Sequence, residues 1–256
     1  HRSRASHRRP AVHQDVVAGP EDSFEGGLHA ALGAGSTAEE GRPSGGALTM
    51  LSSPVTAFRL ALLAALLLTT AHSSNADAVR AALVNLCDPA KIATLTSDRA
   101  ANPRVRKIAY WLEVARQQGR DPQTEMDKTM SAVGWGGTLK GDLTAAAMAR
   151  NRTIADRLGC LDAEGMALLR RGNAPTIKFG PYSGEKLTVD HIIPRAVSPS
   201  LDLVLANLEL MPHSLNLRKG SKVGQRQIDL ANKLLEAGLL SQDEHATIIA
   251  RRTPGF

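Results

Sequence analysis

The stretch VDHIIPRAVSPSLDLVLANLELMPHSLNLRKGSK, residues 189–222, decides the fold of the second half of this chain. Short apolar runs on either side of a Pro-containing loop predict one strand over residues 186–189 and a second strand over residues 208–211. The residues after the second strand predict a short helix over 214–219. The sequence therefore indicates two strands followed by a helix, with a long connection between the strands.

Polar side chains suited to cutting a phosphodiester bond occur in the same stretch. Cleavage by water needs a base, and imidazole, with an ordinary pKa near ~6.5, makes His191 the candidate. Cleavage also needs a hard cation, which prefers carboxylate and amide oxygens such as those of Asp190 and Asn216. Neighbouring strand residues point to opposite faces, so Asp190 and His191 serve one site only if the strand ends there. The Ile-Ile-Pro sequence that follows predicts that break.

Residues 187–222 resemble the HNH endonuclease family, whose members share the ββα-metal fold. The resemblance rests on three blocks in order: D-H-I-I-P at 190–194, N-L-E-L at 207–210 and H-S-L-N-L-R-K-G at 213–220. It covers this stretch only, and the helical region before it shows no comparable likeness. The resemblance implies a metal-dependent endonuclease that leaves 5′-phosphate and 3′-hydroxyl ends.

The resemblance also implies a role for each polar residue. His191 is the expected general base, and Asn207 is expected to position the loop that carries it. Asp190 and Asn216 are the expected metal ligands, while His213 is either a further ligand or a phosphate contact. His213 and Asn216 are three residues apart, which places them on one face of a helix. Magnesium is the expected ion, and manganese, nickel or zinc would suit the same donors.

Positive charge follows the motif. Arg218, Lys219 and Lys222 resemble the family's basic tail, which neutralises backbone phosphates without reading bases, and Arg195 is a weaker candidate of the same kind. A solvated run of charges is the alternative. The whole chain has 31 Lys and Arg against 25 Asp and Glu. A basic protein favours acidic partners, so nucleic acid, DNA ahead of RNA, is the expected partner.

Helical signals fill residues 79–172. Capping residues, prolines and closing glycines predict four main helices, over residues 103–118, 121–133, 142–158 and 162–171.

After Pro175 the pattern changes to that of strands. Residues 176–178 and 186–189 flank a turn-rich link and predict a hairpin. Two further helices are expected near the end of the chain, one over 223–237 and one from a capping box at Ser241 and Glu244 to about Arg251. The predicted fold class is α+β and mostly helical: a helical region over 79–172, then a ββα-metal module within 173–256 and a terminal helix.

The first residues carry the signs of export. Residues 1–49 mix Gly, Pro, Ser, Arg and His without periodicity, which indicates a disordered or non-native upstream segment. Residues 50–78 have the layout of a secretory signal peptide, with one positive charge, an apolar run over 60–71 and small residues at a cleavage site. That run is shorter than the ~20 residues that span a bilayer, so a retained anchor is the weaker alternative. The expected location is therefore periplasmic or secreted. Residues 79–256, which would remain after cleavage, are basic, with 25 Lys and Arg against 18 Asp and Glu.

The two cysteines, Cys87 and Cys160, both lie after the predicted signal. In an oxidising compartment they could pair, which would contribute roughly 4 kcal/mol by restricting the unfolded chain. Two buried free thiols are the alternative. Neither cysteine stands at zinc-site spacing, so the zinc-binding cysteines that brace many HNH domains are absent from this sequence. Hydrophobic packing against the helices is expected to supply that support.

These patterns together predict an exported HNH endonuclease of a bacterial-type cell that hydrolyses nucleic acid with a divalent metal ion. Two alternatives stay open: a catalytically weak nucleic-acid-binding module of the same fold, and an exported helical interaction protein in which the match is accidental. A complete set of base and oxygen ligands favours the enzyme. Convergence of Asp190, His191 and Asn216 on one site would separate it from the accidental match.

Overall fold

A computed structural model describes residues 78–256. The upstream segment predicted over 1–49 and nearly all of the signal peptide predicted over 50–78 lie outside the described residues. Within the described part, no helix is long and apolar enough to cross a membrane. The helices of the first half are α1 (residues 78–87), α2 (Pro89–Ala93), α3 (Asn102–Gln117), α4 (Pro122–Ala132), α5 (Leu139–Arg157) and α6 (Ala163–Arg171).

Helices α3 to α6 confirm the four main helices predicted for this half. Asp121 caps α4, and its carboxylate accepts a hydrogen bond from the Thr124 amide at 2.9 Å. Asp162 caps α6 in the same way. Helix α6 ends at Gly172, whose φ of 79° lies in the left-handed region that glycine adopts without strain. A Cβ at Gly172 would lie 2.8 Å from Pro103 Cβ, so glycine also permits the close approach of α6 to α3.

Two antiparallel strands followed by a helix form the centre of the second half. Strand β1 pairs with β2 so that Asp190 lies opposite Glu209. Helix α7 begins directly after β2, and the capping box of Ser241 and Glu244 opens the last helix as predicted. The elements are β1 (Leu187–His191), two short 3₁₀ turns (Pro199–Leu203 and Leu205–Asn207), β2 (Leu208–Pro212), α7 (His213–Lys219), α8 (Gln225–Glu236) and α9 (Gln242–Ala250). The fold is α+β and mostly helical, as predicted.

The hairpin predicted between residues 176–178 and 186–189 forms, but it is shorter than predicted. It consists of one antiparallel bridge, between Thr176 and Lys186, and of three backbone hydrogen bonds of 2.9 Å, which Ile177 donates to Glu185, Gly184 to Ile177 and Leu187 to Pro175. The backbone amide of Lys178 donates instead to a carbonyl at the end of α5, at 2.9 Å, so the first arm of the hairpin is held by a helix. The second arm becomes part of β1 and takes β2 as its partner.

One apolar core joins the helical half to the strands. An isolated two-stranded sheet is at best marginally stable, so β1 and β2 depend on this packing. A smaller core lies under the connection between the strands and packs it against α8 and α9. Fully buried members of the main core include Leu83, Leu112, Met148, Leu158, Leu187, Leu208 and Leu210.

Asn151 on α5 ties the helical half to the edge of β2 that does not face β1. Its Nδ2 donates to the Leu208 carbonyl at 3.0 Å, and its Oδ1 accepts from the Leu210 amide at 2.7 Å. The side-chain amide thereby takes the place that a third strand would occupy. Only 3% of Asn151 is exposed, so water does not replace either hydrogen bond.

Both cysteines are free, buried thiols, which is the second of the two alternatives left open by the sequence. Cys87 Sγ lies 3.8 Å from Met148 Sδ, and Cys160 Sγ lies 3.6 Å from the Thr176 carbonyl oxygen. Burial raises the pKa of each thiol to about 12. The reactive thiolate form is therefore scarce at neutral pH.

The two thiols should react with a thiol reagent only after the protein unfolds. In the native protein burial excludes the reagent and the raised pKa removes the thiolate, so Ellman's reagent should label neither Cys87 nor Cys160 at pH 8. In guanidinium both should react at once. A disulfide detected by mass spectrometry of the native protein would contradict this expectation.

Replacing Asn151 with Ala should lower the free energy of unfolding by about 1–3 kcal/mol, the cost of one buried group left unpaired. The change leaves the Leu210 amide of β2 without its partner, while the Leu208 carbonyl keeps only the longer hydrogen bond from Arg150, at 3.4 Å. Urea unfolding followed by circular dichroism measures the loss. Asn173→Ala is the matched control, because Asn173 is exposed just beyond α6 and its replacement should change the stability little.

Candidate active site

An open cleft of about 720 Å³ contains most of the predicted site residues. The motif contributes residues from β1, from the loop after it and from α7. The helical half contributes Arg99, Asn102 and Arg106. The cleft brings together the predicted site residues Asp190, His191, Arg195, His213 and Asn216; Asn207, Arg218, Lys219 and Lys222 are not among the residues that line it.

Asp190 is buried near the end of β1 and pairs with a buried lysine. Lys219 Nζ lies 2.7 Å from Asp190 Oδ2 and donates to the His191 carbonyl oxygen at 2.6 Å. Burial raises the pKa of Asp190 above its ordinary value, and the Lys219 ammonium opposes part of that rise. The structure differs here from the basic tail expected at Lys219. The last turn of α7 directs this ammonium back to the end of β1, where it neutralises a carboxylate.

His191 is held at the strand end by a carboxylate from the connecting loop. Its Nε2 lies 2.8 Å from Asp202 Oδ1. An ionised carboxylate only accepts hydrogen bonds, so the neutral imidazole carries its proton on Nε2. Nδ1 is then the nitrogen with a free lone pair, which is the form that a general base requires.

Asn207 is fully buried, and its side chain forms hydrogen bonds with the backbone of the loop that follows His191. Its Oδ1 accepts from the Ile193 amide at 2.8 Å, and its Nδ2 donates to the Ile193 carbonyl at 3.1 Å. The Ile192 amide donates to the Asn207 carbonyl at 2.8 Å. These three bonds determine where the backbone leaves β1. The arrangement agrees with a positioning role for Asn207, and its burial keeps it from touching a substrate.

Asn216 and His213, the other predicted metal ligands, line the same cleft as Asp190. Asn216 Nδ2 lies 3.3 Å from Thr188 Oγ1 and 3.5 Å from the Val189 carbonyl oxygen, so the oxygen end of the amide is the one left for a ligand. His213 is exposed at the first position of α7. A carboxylate, an amide oxygen and an imidazole suit a small divalent cation. No three His, Cys, Asp or Glu side chains are grouped as a metal site within residues 78–256.

A second buried carboxylate lies on β2, opposite Asp190. Glu209 accepts two hydrogen bonds from the Arg226 guanidinium, at 2.7 and 2.6 Å. Burial alone would raise the pKa of Glu209, but Arg226, with help from Arg150, outweighs burial and holds the pKa below its ordinary value. Each strand therefore carries one buried carboxylate with its own cation.

The other basic residues predicted to contact phosphate lie in different surroundings. Arg195 lines the cleft, but its guanidinium pairs with Asp98 at 2.6 Å. Arg218 is exposed on α7. Lys222 Nζ lies 5.2 Å from the centre of the Phe256 ring, in a hollow separate from the cleft.

Sequence reasoning missed two groups of residues around the cleft. Asp202 stands inside the motif stretch, and the only available signal was a carboxylate in the loop between the two strands. Arg99, Asn102 and Arg106 precede the motif by more than eighty positions in the printed sequence, and no spacing rule connects them to it.

Replacing Lys219 with Met should destabilise the fold by about 3–5 kcal/mol at neutral pH, because it leaves a buried carboxylate without its cation. The pKa of Asp190 is already raised in the folded protein and should rise further in this variant. A carboxyl group with a raised folded pKa favours the fold at low pH, and that contribution is lost as the pH rises through the folded pKa. The destabilisation should therefore be smaller at pH 5 than at pH 8. Urea unfolding in EDTA at both pH values measures it.

The double variant Asp190→Asn/Lys219→Met provides the control. It removes both charges, so most of the lost stability should return, and the two single changes should be strongly non-additive. A loss that is the same at both pH values, or a double variant as unstable as the sum of the single ones, would argue against the pairing.

No family model, curated protein or solved structure matches this chain. The likeness to HNH endonucleases therefore rests on the quoted motif residues, and the function is argued from the geometry of the cleft.

Proposed function

We propose that this chain is a metal-dependent HNH endonuclease that hydrolyses phosphodiester bonds of nucleic acid, DNA in preference to RNA. The observation that supports the proposal is the shared cleft, which Asp190, His191, His213 and Asn216 all line. An accidental motif match gives no reason for these four side chains to line one cavity. The predicted signal peptide adds a periplasmic or secreted location to the proposal.

In the proposed reaction His191 Nδ1 takes a proton from a water molecule, and the oxygen of that water attacks phosphorus. The bond from phosphorus to the 3′-oxygen breaks, and the leaving oxygen takes a proton from a solvent water molecule, which leaves a 5′-phosphate and a 3′-hydroxyl. Asp202 keeps the proton of the neutral imidazole on Nε2 and stabilises the imidazolium that forms. Asn207 sets the position of the backbone that carries the base.

Asp190, Asn216 and His213 would hold the divalent cation, magnesium by preference, which when bound stabilises charge on the phosphoryl and leaving oxygens. Asp190 must be ionised to act as a ligand. Burial disfavours the ionised form, and the Lys219 ammonium favours it. Lys219 would thus help to keep the ligand charged.

A catalytically weak nucleic-acid-binding module of the same fold is the second candidate. The contact that favours it is the ion pair of Lys219 with Asp190, because the ammonium occupies a carboxylate oxygen that a cation would use. Such a module would bind nucleic acid and leave it uncut, so a cleavage assay separates the two candidates.

The full chain should nick supercoiled plasmid in magnesium and should lose this activity in EDTA. His191→Ala should lower the rate by about 100-fold or more, because it removes the general base. Agarose gels of plasmid, and a parallel assay on single-stranded RNA, measure both effects and compare the two substrates.

His245→Ala is the matched control for that variant. His245 lies on α9, bonds Asn232 at 2.7 Å and does not line the cleft, so its replacement should leave the rate unchanged. Equal rates for wild type and His191→Ala, or cleavage that persists in EDTA, would refute the proposed metal-dependent mechanism. Binding of DNA without any cleavage would favour the second candidate.

A further inference from the structure

One wall of the cleft comes from the helical half, outside the motif. Arg99, Asn102 and Arg106 line it, in the same cavity as Asp190 and His191. We infer that this wall is a phosphate-binding subsite, which holds the backbone of the nucleic-acid strand while His191 acts on it. The inference rests on the proposed function and extends it to residues that the motif does not contain.

Arg99 has a backbone conformation that needs support. Its φ of 58° makes it the one residue other than glycine with positive φ within residues 78–256. Such a conformation costs free energy at an ordinary residue and tends to persist where function requires it. The support is Asp202, whose Oδ2 accepts a hydrogen bond from the Arg99 amide at 3.1 Å.

The same Asp202 carboxylate holds His191 through its other oxygen, at 2.8 Å. One side chain therefore determines the positions of both the candidate base and the turn that carries Arg99. The neighbouring pair of Asp98 with Arg195 joins the same turn to the loop after β1 at a second point. These two contacts hold the turn that carries Arg99 against the residues of the candidate site.

The two arginines of this wall form no salt bridge among the described residues. Arg99 is exposed, and the nearby Asp98 carboxylate, whose pKa Arg195 and to a lesser extent Arg99 lower, pairs with Arg195 instead. Arg106 donates to the Gly172 carbonyl at 3.1 Å, while its Nε is buried without a hydrogen-bond partner. Burial lowers the pKa of Arg106, as expected for a desolvated guanidinium that no carboxylate compensates. A bound anion would supply the missing charge.

A further observation suits a polyanion. Asp190 is the only carboxylate among the described residues that line the cleft, and Lys219 already pairs with it. Positive groups on the helical wall and the base in the same open cavity suit an extended phosphate backbone better than a single small anion.

Arg99→Asn tests the subsite with little risk to the fold, because Asn adopts positive φ more readily than most residues. The assay is fluorescence anisotropy of a labelled DNA duplex with the full chain in EDTA, over a range of salt concentrations. Arg99→Asn should raise the Kd about fivefold or more, and should reduce the slope of log K against log salt by about 0.9, the value for one phosphate contact. Arg106→Gln should act in the same direction.

Arg170→Asn is the charge-matched control, since Arg170 is exposed on α6 and does not line the cleft. It should leave the Kd and the salt slope close to those of the wild type. Circular dichroism and the Tm should show that Arg99→Asn folds normally. Wild-type affinity in both cleft variants, a control variant that weakens binding as much, or no binding by the wild type would each overturn the inference.

The two proposals fail in different ways. If the wild type cleaves plasmid but Arg99→Asn and Arg106→Gln both bind DNA as tightly as the wild type, the subsite is refuted and the nuclease stands. If Arg99→Asn weakens binding with the expected salt slope but the wild type cuts nothing, the subsite stands and the nuclease is refuted.

Discussion

The pair of hydrogen bonds between the Asn151 amide and β2 is the junction on which the rest of the structure depends. A two-stranded sheet has two open edges and little core of its own. Asn151 satisfies one of these edges from a helix, and the apolar core below it holds the strands against α5. Because α7 starts directly after β2, and β1 is paired with β2, the positions of His191 and Asn216 follow from this contact. The helical half thereby braces the two strands.

Local sequence signals predict the helices and strands well, but they do not predict contacts between residues that are far apart in the chain. Asp121 and Gly172 mark helix ends through hydrogen bonds and backbone angles that involve only their neighbours, so the sequence suffices to place them. The hairpin is shorter than predicted because the amide of Lys178 donates to a carbonyl at a helix end instead of to the second arm, a contact that no periodicity predicts.

The candidate site likewise contains residues that the sequence predicts and contacts that it does not predict. His191 and Asn207 were recognisable because the motif fixes their order in the chain. Lys219 was assigned to the surface, because a run of basic residues looks alike whether or not one of them turns inward. The contact of Asp202 with His191 depends on the path of the loop between the strands, and spacing does not reveal that path.

The two buried carboxylates of the sheet differ in their cationic partners, and this difference separates a structural ion pair from a candidate metal ligand. Glu209 meets the two-pronged guanidinium of Arg226, and its pKa is held low, which suits a permanent ion pair. Asp190 meets the single ammonium of Lys219, and burial keeps its pKa raised. A cation can compete more readily for a carboxylate held by one lysine than for one clamped by arginine. The cleft is lined by residues of β1, the strand that carries Asp190, whose cationic partner is the weaker of the two.

The cleft is assembled from residues 99–106 and 188–221, and this limits its modularity. A graft of the motif stretch onto another scaffold would transfer the motif residues. It would not transfer the hydrogen bonds of Asn151 to β2 or the wall of the cleft that carries Arg99 and Arg106. Residues 187–222 are therefore a recognisable sequence unit but not an autonomous structural one. Recombination between relatives would have to exchange the helical half together with the strands to preserve the site.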